Sequence, residues 1–384
     1  NMPQFNGSLI QYTGLNPKFK GNDFEPREKQ KDALARYLVD KSVLFAHGVG
    51  SGKSFELVSC AREGRIAGVH NKAMIAAPNN VYGQLARMFQ EHYPSANILM
   101  MDSKELSALG RKEVTARIAM NNYDAVIVPH SFLNKLAAPS EFVIAQLEKQ
   151  KGELSHAISI AQGIGGYNLK RSEKRLKSLE AKIERRLKQE DKDDMLYINE
   201  LGIDALFIDE SDNFLNLPTP SNMSHVAGVN TSESDKATNL LFMVRYLQEQ
   251  NNGNGLVLAT GTDIRKSMSD MYTNLYYLIP NELERMGILD FDSFMSTFGE
   301  VVTAIEASPE GTGYRENSRL AKFNNLPELA KLYRVAADVL TTDESGAQRP
   351  HAVRIPVQAD GGEFFKPFMN DIALRAKSFR NGSK

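Results

Sequence analysis

The chain has 384 residues and a formal net charge of −1, with 42% hydrophobic and 24% charged residues. This composition can fill one large or two medium hydrophobic cores and excludes extensive disorder, while the near-zero charge means that any nucleic-acid contact must come from a local patch. The sequence has no run of about 18 apolar residues and only one cysteine, Cys60, so it predicts no membrane span, no disulfide and no thiolate zinc site, and we expect a cytoplasmic protein.

Short apolar runs alternate with amphipathic segments along most of the chain. The runs are "SVLFAH" 42–47, "KAMIAAP" 72–78, "ANILMM" 96–101, "DAVIVPH" 124–130, "DALFIDE" 204–210 and "GLVLATG" 255–261. Each run is short enough for a strand and apolar enough to be covered on both faces. The segments between them space apolar residues three or four apart, as helices do. This alternation predicts an α/β fold with a doubly wound, mostly parallel, RecA-like sheet.

Residues 141–199 interrupt the alternation and predict two helices joined at "GIGGYN". Apolar residues recur there at near-heptad spacing, at Ile144, Leu147, Leu154, Ile158, Leu176, Leu179, Ile183 and Leu187. An antiparallel helical hairpin would bury both stripes. The second arm is basic, with Lys170, Arg171, Lys174, Arg175, Arg185 and Arg186. Such charge is typical of a solvated helix face, and a contact with nucleic acid or a partner is the alternative.

Beyond residue 265 the sequence predicts a mainly helical extension that ends near residue 345. We expect 346–384 to be a linker or the start of a missing second lobe, because it contains Pro350 and the glycine-rich "QADGGE". The main ATPase unit would then consist of 1–140 and 200–265, with the hairpin inserted between them. Asn1 ahead of Met2 is not how a natural chain begins, so we expect a trimmed chain.

The glycine-rich stretch "FAHGVGSGKSFEL" at 45–57 follows a predicted strand and opens a predicted helix. Backbone N–H groups in such a loop, with the positive end of the helix dipole, can enclose a polyphosphate. Lys53 would meet the β and γ phosphates, and the Ser54 hydroxyl would bind Mg²⁺. The rest of the cradle would be Gly48, Val49, Gly50, Ser51 and Gly52. The strict P-loop pattern has glycine where this chain has His47, so an ordinary strand-to-helix turn is the alternative.

A pair of acids ends the run "ALFIDE". In a parallel sheet the carboxyl ends of the strands lie at the edge where nucleotides bind, so we expect Asp209 and Glu210 at that edge. Asp209 would hold Mg²⁺ directly or through water, and Glu210 would orient and deprotonate the attacking water. The alternative is an Asp-Glu pair that only caps the next turn. Together with Lys53, the pair predicts a site for ATP hydrolysis.

In chain order, these motifs resemble those of the superfamily 2 helicases and translocases. The corresponding segments are "FEPREKQKDAL" with Gln30 (adenine-recognition region), "GVGSGKS" (motif I), "IAAPNNVYGQLARMF" (motif Ia), "VIVPHSFL" (motif Ib), "FIDESDNF" (motif II) and "LATGTD" (motif III). They cover residues 24–265. The stretches "YPSANILM", "YDAVIVPHS" and "FGEVVTAIEASPEGTGYRENSRLAKFNNLPEL" resemble, more narrowly, the Swi/Snf-like helicase part of methyltransferase-helicase proteins of phages and conjugative elements.

The resemblance implies a RecA-like ATPase lobe that moves along duplex DNA, with ATP and Mg²⁺ as cofactors and Gln30 at the adenine edge. A surface glutamine is the alternative for Gln30. DNA-backbone contacts are implied, with turn residues at strand ends as the alternative, at Pro78, Asn79, His130 and Ser131. Coupling of the nucleotide to movement is implied for Thr260, Gly261 and Thr262. The implied partners are duplex DNA, a second RecA-like lobe with an arginine finger and, in the parent protein, a methyltransferase domain.

The chain departs from the group's motifs at several positions. Motif II continues as Ser211-Asp212 where the group usually has Ala-His. This change puts in doubt the coupling of the nucleotide to motif III rather than the binding of the nucleotide. Motif I has Ser54 for the commoner threonine. Nothing after residue 265 resembles a second lobe, so we expect weak ATP binding and poor hydrolysis by this chain alone. Cys60 is expected to be a core residue.

Two other interpretations compete with the motor. One is a degenerate nucleotide-binding scaffold that serves as a DNA- or protein-interaction module, which the Ser211-Asp212 change favours. The other is a P-loop kinase that phosphorylates a small molecule, for which the sequence shows no acceptor site or lid. The linear order of motifs Ia to III also weighs against the kinase, whereas the scaffold stays open and Lys53→Ala would separate it from the motor.

Overall fold

The computed structural model describes residues 5–164, 169–189, 195–218, 221, 223, 226–227, 234–264, 268–307, 314–341, 344, 355 and 362–382. A seven-stranded sheet lies at the centre. Its strands are β1 (Val43–His47), β2 (Ala73–Ala77), β3 (Ile98–Met100), β4 (Ala125–Pro129), β5 (Ala205–Asp209), β6 (Leu256–Thr260) and β7 (Ala337–Leu340). Their spatial order is β7-β1-β6-β5-β2-β4-β3, and every neighbouring pair is parallel. The predicted α/β, doubly wound parallel sheet is confirmed.

Helices cover both faces of this sheet. They are α1 (Glu28–Asp40), α2 (Lys53–Ile66), α3 (Tyr82–His92), α4 (Ser103–Leu109), α5 (Arg111–Met120), α6 (His130–Leu133), α7 (Ser140–Ile164), α8 (Leu169–Gln189), α9 (Asp235–Gln250), α10 (Met268–Leu278), α11 (Pro280–Arg285), α12 (Phe291–Phe298), α13 (Leu326–Ala336) and α14 (Gly362–Gly382). No helix in the described ranges is both long and apolar enough to cross a membrane.

Alternate residues of each strand enter two separate cores, because successive side chains of a strand point to opposite faces. In β1, Val43 and Phe45 join the core under α1, α2 and α3, while Leu44 joins the larger core on the other face. Cys60 is fully buried in the smaller core, which confirms the packing role predicted for it. Both faces of the sheet are thus covered, as its continuous apolar runs require.

Several short elements complete the architecture. They are the antiparallel pair Lys18–Phe19 and Asn22–Asp23, the parallel pair Leu136–Ala137 and Leu196–Tyr197 beside the helical insertion, the strand Val226–Ala227, and the 3₁₀ helices Ile198–Glu200 and Ser211–Phe214. The last of these directly follows β5 and therefore shapes the edge where the predicted acids lie.

Helices α7 and α8 lie in the segment for which the sequence predicts a hairpin over 141–199, and the limits of that insertion stay a prediction. They pack against each other, with Leu147 and Leu179 buried and Lys151 Nζ 3.5 Å from Glu180 Oε1. Leu187, predicted to be part of the buried stripe, is instead 55% exposed because it lies near the end of α8. Residues 165–168 of the predicted connection lie outside the described residues. Of the basic residues, Lys174 and Arg185 are exposed, and no description covers the side chains of Lys170, Arg171, Arg175 and Arg186.

The region after residue 265 contains the predicted helices, α10 to α13, and two features that the sequence analysis did not predict. The strands Gly299–Ala307 and Tyr314–Phe323 pair antiparallel, and we call them the β-arm. The β-branched run from Val301 to Thr303 favours this extended backbone over a helix. In addition, β7 joins the main sheet beside β1. Pro350 and "QADGGE" largely lie outside the described residues, and the domain limits at 265 and 345 stay predictions.

The buried stripe of the hairpin gives a test of its packing. We expect Leu179→Ala to destabilise the α7–α8 pair by about 2–5 kcal/mol, because it leaves a cavity in a buried seam. Leu187→Ala on the same helix is the matched control and should change stability by no more than about 0.5 kcal/mol. Amide hydrogen exchange in α7 measures the effect, and equal protection in the two variants would contradict the packing.

Candidate functional site

The glycine-rich loop connects β1 to α2 at the carboxyl edge of the sheet. All five β1 residues are buried, so packing in the core fixes the position of the residue from which the loop starts. Gly50 and Gly52 have φ values of 86° and 96°, in the left-handed region that glycine adopts without steric cost. The helix begins at Lys53, which puts its unpaired N–H groups beside the loop. The predicted strand–loop–helix arrangement of 45–57 is therefore present.

The Lys53 side chain turns back onto the loop. Its Nζ donates hydrogen bonds to the main-chain oxygens of His47 at 2.8 Å and Gly48 at 3.4 Å. Ser51 Oγ is buried and has no hydrogen-bond partner in the part of the chain that the structure describes. Buried hydroxyls normally have partners, so this atom fits a loop that accepts a ligand with acceptor oxygens.

Gln30 lies directly against the loop. Its Nε2 donates to the main-chain oxygen of Ser51 at 3.4 Å, and the Arg27 guanidinium donates to the same oxygen. The Gln30 Oε1 accepts the backbone N–H of Arg27 at 3.0 Å, which fixes the side chain at the start of α1. Gln30 is 4% exposed, so it is not the surface glutamine of the alternative interpretation. Its contact with adenine stays a prediction.

The two predicted acids follow one another at the end of β5. Asp209 is buried, and burial, followed by the charge of Glu210, raises the pKa of Asp209 to about 6, while the Lys53 charge acts in the opposite direction. Glu210 has a φ of 48°, a left-handed backbone that is unusual outside glycine and turns the chain into the next 3₁₀ helix. The Glu210 side chain makes no capping hydrogen bond to that helix. The capping alternative therefore has no support at Glu210.

Strand register brings the lysine, the acid and motif III to the same edge. β6 lies between β1 and β5, with Thr260 opposite Ala46 and Ala259 opposite Asp209. A side chain at Gly261 would lie 3.4 Å from Lys53 Nζ, so motif III contacts motif I through glycine. Thr260 Oγ1 accepts the backbone N–H of Thr262 at 3.0 Å, which fixes the motif III turn. The role of this turn in coupling stays a prediction.

The donors at this edge fit a magnesium ion. Ser54 lies in the first turn of α2, and Asp209 is the last residue of β5, which ends at the same edge of the sheet. Hydroxyl and carboxylate oxygens are the ligands that Mg²⁺ prefers, and Mg²⁺ commonly takes only one or two from the protein. The small number of protein oxygens is thus in keeping with Mg²⁺ that shares its coordination with phosphates.

His47, the residue that departs from the P-loop pattern, is buried between two carboxylates. Its Nδ1 lies 2.8 Å from Glu56 Oε2 of α2, and its Nε2 lies 3.2 Å from Asp338 Oδ2 of β7. Burial disfavours the charged ring, but the hydrogen bonds and charges of Asp338 and Glu56 outweigh burial and raise the pKa of His47 to about 9. Because the His47 carbonyl also accepts from Lys53, this residue ties the loop to α2 and to the edge strand β7.

Arg36 completes this network from α1. Its guanidinium donates to the Ala337 carbonyl oxygen at 2.8 Å and lies 3.6 Å from Asp338 Oδ1. Burial alone would raise the pKa of Asp338, but the bond to His47, followed by the charges of His47 and Arg36, lowers it. The sequence analysis did not find this network, because its partners are separated by nearly the whole chain and β7 itself was not predicted.

The four residues predicted to contact DNA line one cavity of about 280 Å³. Asn79 Oδ1 accepts the backbone N–H of Ser131 at 3.1 Å, so motifs Ia and Ib are joined there. His130 Nε2 donates to the main-chain oxygen of Asp209 at 2.9 Å. The structure thus brings Pro78, Asn79, His130 and Ser131 together, beside motif II. The remaining lining residues, which belong to none of the predicted contacts, are Asn134, Asn213, Phe214 and Lys236.

Comparison with known proteins identifies the family. The sequence model of the family described as a probable helicase domain matches residues 38–341, and the chain belongs to this family. "Defense against restriction protein B" of Escherichia phage P1 is 27% identical over 192 residues, which cover 47% of this chain and 8% of that protein. The chain therefore corresponds to a small part of the phage relative. The "Sulfolobus solfataricus SWI2/SNF2 ATPase core in complex with dsDNA" aligns with a TM-score of 0.44 and 12% identity, over 87% of this chain and 47% of that one. The helicase resemblance seen in the motifs is confirmed by the family match.

The His47 network predicts a pH-dependent stability. The pKa of His47 is about 9 when folded and 6.5 without its partners, so the stabilisation is fully present below pH 6.5 and is lost as pH rises through about 9. Over that range, we expect the free energy of unfolding of the wild type to fall, relative to His47→Gln, by about 3 kcal/mol. Chemical denaturation at a series of pH values measures the difference.

A control separates His47 from other groups that titrate in this range. Asp338→Asn keeps the imidazole but removes one of its acceptor charges, and should shift the loss of stability to lower pH. Parallel pH profiles for the wild type and His47→Gln would contradict the network.

Proposed function

We propose that this helicase domain is the first motor lobe of an ATP-dependent DNA helicase or translocase. It would bind Mg-ATP at the carboxyl edge of the sheet and couple hydrolysis to movement on DNA. The observation that carries the proposal is the convergence of Lys53, motif III and Asp209 across three adjacent parallel strands. An ordinary strand-to-helix turn would not require an acid pair and a second glycine turn at the same place.

The loop would bind the triphosphate through its own backbone. The Gly48 N–H donates to the Leu340 carbonyl oxygen at 2.8 Å and the Ser51 N–H donates to the Gly48 carbonyl oxygen at 3.1 Å. The phosphate oxygens would therefore accept from the N–H groups of Val49, Gly50 and Gly52 and from those at the start of α2. The Lys53 ammonium would exchange its two carbonyl partners for the β and γ phosphates, and the buried Ser51 hydroxyl would gain an acceptor. Gln30, held beside Ser51, would reach the adenine edge.

The acids would act on the terminal phosphate. Ser54 and Asp209 would hold Mg²⁺, which supplies positive charge against the negative charge that develops on the phosphates. Glu210 would orient the attacking water and accept its proton. A raised pKa at Asp209 reflects burial beside a second carboxylate, and a divalent cation would offset that repulsion. The partner lobe, with its arginine finger, would complete the site in the parent protein.

DNA would lie across the cavity of motifs Ia and Ib, and the hairpin offers a second basic surface. Lys174 and Arg185 are exposed on α8 and are eleven residues apart, which places them on the same helix face. The proposal also includes a methyltransferase domain elsewhere in the parent protein. Its only support is the resemblance to methyltransferase-helicase proteins.

The scaffold interpretation keeps one observation in its favour. Ser211 and Asp212, which stand where the group usually has Ala-His, are both buried. A scaffold would not need Lys53, so substitution of this lysine separates the two functions.

We expect Lys53→Ala to lower the affinity for a non-hydrolysable ATP analogue with Mg²⁺ by about ten- to a hundredfold, because a charged hydrogen bond to phosphate is lost. Lys41→Ala is the control, since Lys41 is exposed and precedes β1 at the opposite edge of the sheet. Calorimetric titration measures both variants, and ATPase assays on the parent protein extend the test. Unchanged affinity in Lys53→Ala would favour the scaffold.

The basic face of α8 gives a second test. We expect the double change Lys174→Glu and Arg185→Glu to weaken duplex binding at least about tenfold at low salt and to reduce its salt dependence. The double change Lys41→Glu and Lys112→Glu at two other exposed lysines alters net charge equally and serves as the control. Fluorescence anisotropy measures the isotherms. An unchanged isotherm at low salt would leave the hairpin as a docking arm or spacer.

A further inference from the structure

We propose that the cavity beside motif II binds a DNA backbone phosphate through Lys236, and that His130 and Asn213 transmit its occupation to the two catalytic acids. This inference rests on the proposed function. It adds a residue that binds the DNA phosphate and a route that couples the DNA site to the nucleotide site. The route would replace the relay that motif II lacks at Ser211-Asp212.

The cavity has the chemistry of an anion site. Most of its polar lining residues carry N–H or O–H groups that can donate, and none of its eight lining residues is acidic. Three amides, a hydroxyl and an ammonium line it, from Asn79, Asn134, Asn213, Ser131 and Lys236, whereas the His130 Nε2–H already donates to the Asp209 main-chain oxygen. A phosphate diester offers acceptor oxygens and a full negative charge, which this set of donors matches.

Lys236 supplies the positive charge. It lies in the first turn of α9 and is exposed, with Nζ 5.5 Å from the centre of the Phe214 ring. Burial, together with the charge of nearby Lys236, lowers the pKa of His130, while the hydrogen bond to Asp209 acts in the opposite direction. The cation is therefore held at the mouth of the cavity, where it remains accessible to a phosphate.

Two residues of the cavity bond directly to the backbone of the acids. His130 Nε2 donates to the main-chain oxygen of Asp209 at 2.9 Å, and the ring packs edge-on against Phe214 with 5.1 Å between centres. Asn213 Nδ2 donates to the main-chain oxygen of Glu210 at 3.0 Å. Each catalytic acid is thus one hydrogen bond away from a side chain that lines the cavity.

These bonds make the two sites interdependent. A phosphate that orders His130 and Asn213 would also order the turn that carries Asp209 and Glu210, including the left-handed backbone of Glu210. A nucleotide complex that needs this turn would then bind more tightly in the presence of DNA. By thermodynamic linkage, bound nucleotide must then tighten DNA binding by the same factor.

The experiment measures that factor. We titrate a non-hydrolysable ATP analogue with Mg²⁺ in the absence of DNA and at saturating duplex, and take the ratio of dissociation constants. For the wild type, we expect DNA to tighten nucleotide binding by at least about fivefold. In His130→Phe, which keeps a ring against Phe214 but loses the donor, the ratio should fall to near one. His130→Gln, whose amide can donate to the Asp209 oxygen, should restore part of it.

Lys236→Gln tests the phosphate contact separately. We expect weaker duplex binding and a salt slope reduced by about one, with the ratio kept once DNA saturates. Lys41→Gln removes the same charge at the opposite edge of the sheet and should leave the slope unchanged.

Each outcome bears on one claim. A wild-type ratio near one with both ligands bound, or an undiminished ratio in His130→Phe, overturns the coupling but leaves the motor function intact. An unchanged salt slope in Lys236→Gln overturns the phosphate contact. If the wild type binds neither nucleotide nor DNA, the proposed function itself fails. Should His130→Phe not fold, Asn213→Ala, which removes the donor to Glu210, carries the coupling test.

Discussion

The parallel register of β1, β6 and β5 is the constraint on which the rest of the molecule depends. Parallel strands end at a common edge, so three segments far apart in sequence deliver Lys53, Gly261 and Asp209 to one place. This convergence buries the carboxylate of Asp209, and burial raises the pKa of Asp209. Buried carboxylates with a raised pKa are typical of functional sites that bind a cation. Packing of the strands in two cores holds the arrangement before any ligand binds.

Sequence reasoning succeeded where the signal was local. Six strands were predicted because their runs are apolar on both faces, as in Ala73–Ala77, where every residue is buried. Motifs I and II were found because the residues lie next to each other along the chain. β7 escaped detection because Ala337–Leu340 is a short edge strand with only its end residues buried, and its partner β1 lies far away in sequence. Lys236 belongs to no motif and reaches the site only when α9 packs beside Phe214.

The departures from the family pattern gain physical explanations from the structure. His47 stands where the strict pattern has glycine, and its ring belongs to an ionic network that connects the start of the 45–57 loop to α2 and to the edge strand β7. Motif II has Ser211-Asp212 where Ala-His is usual, and His130 of motif Ib donates a hydrogen bond to the main-chain oxygen of Asp209 in motif II. In both cases a histidine connects a motif to a neighbouring element.

The most direct test of the central claim is a crystal structure of this chain with Mg²⁺ and a non-hydrolysable ATP analogue. The account predicts Lys53 Nζ within hydrogen-bond distance of a β or γ phosphate oxygen, with the carboxylate of Asp209 facing the metal ion. A nucleotide bound away from the 45–57 loop, or a metal ion remote from the end of β5, would contradict it.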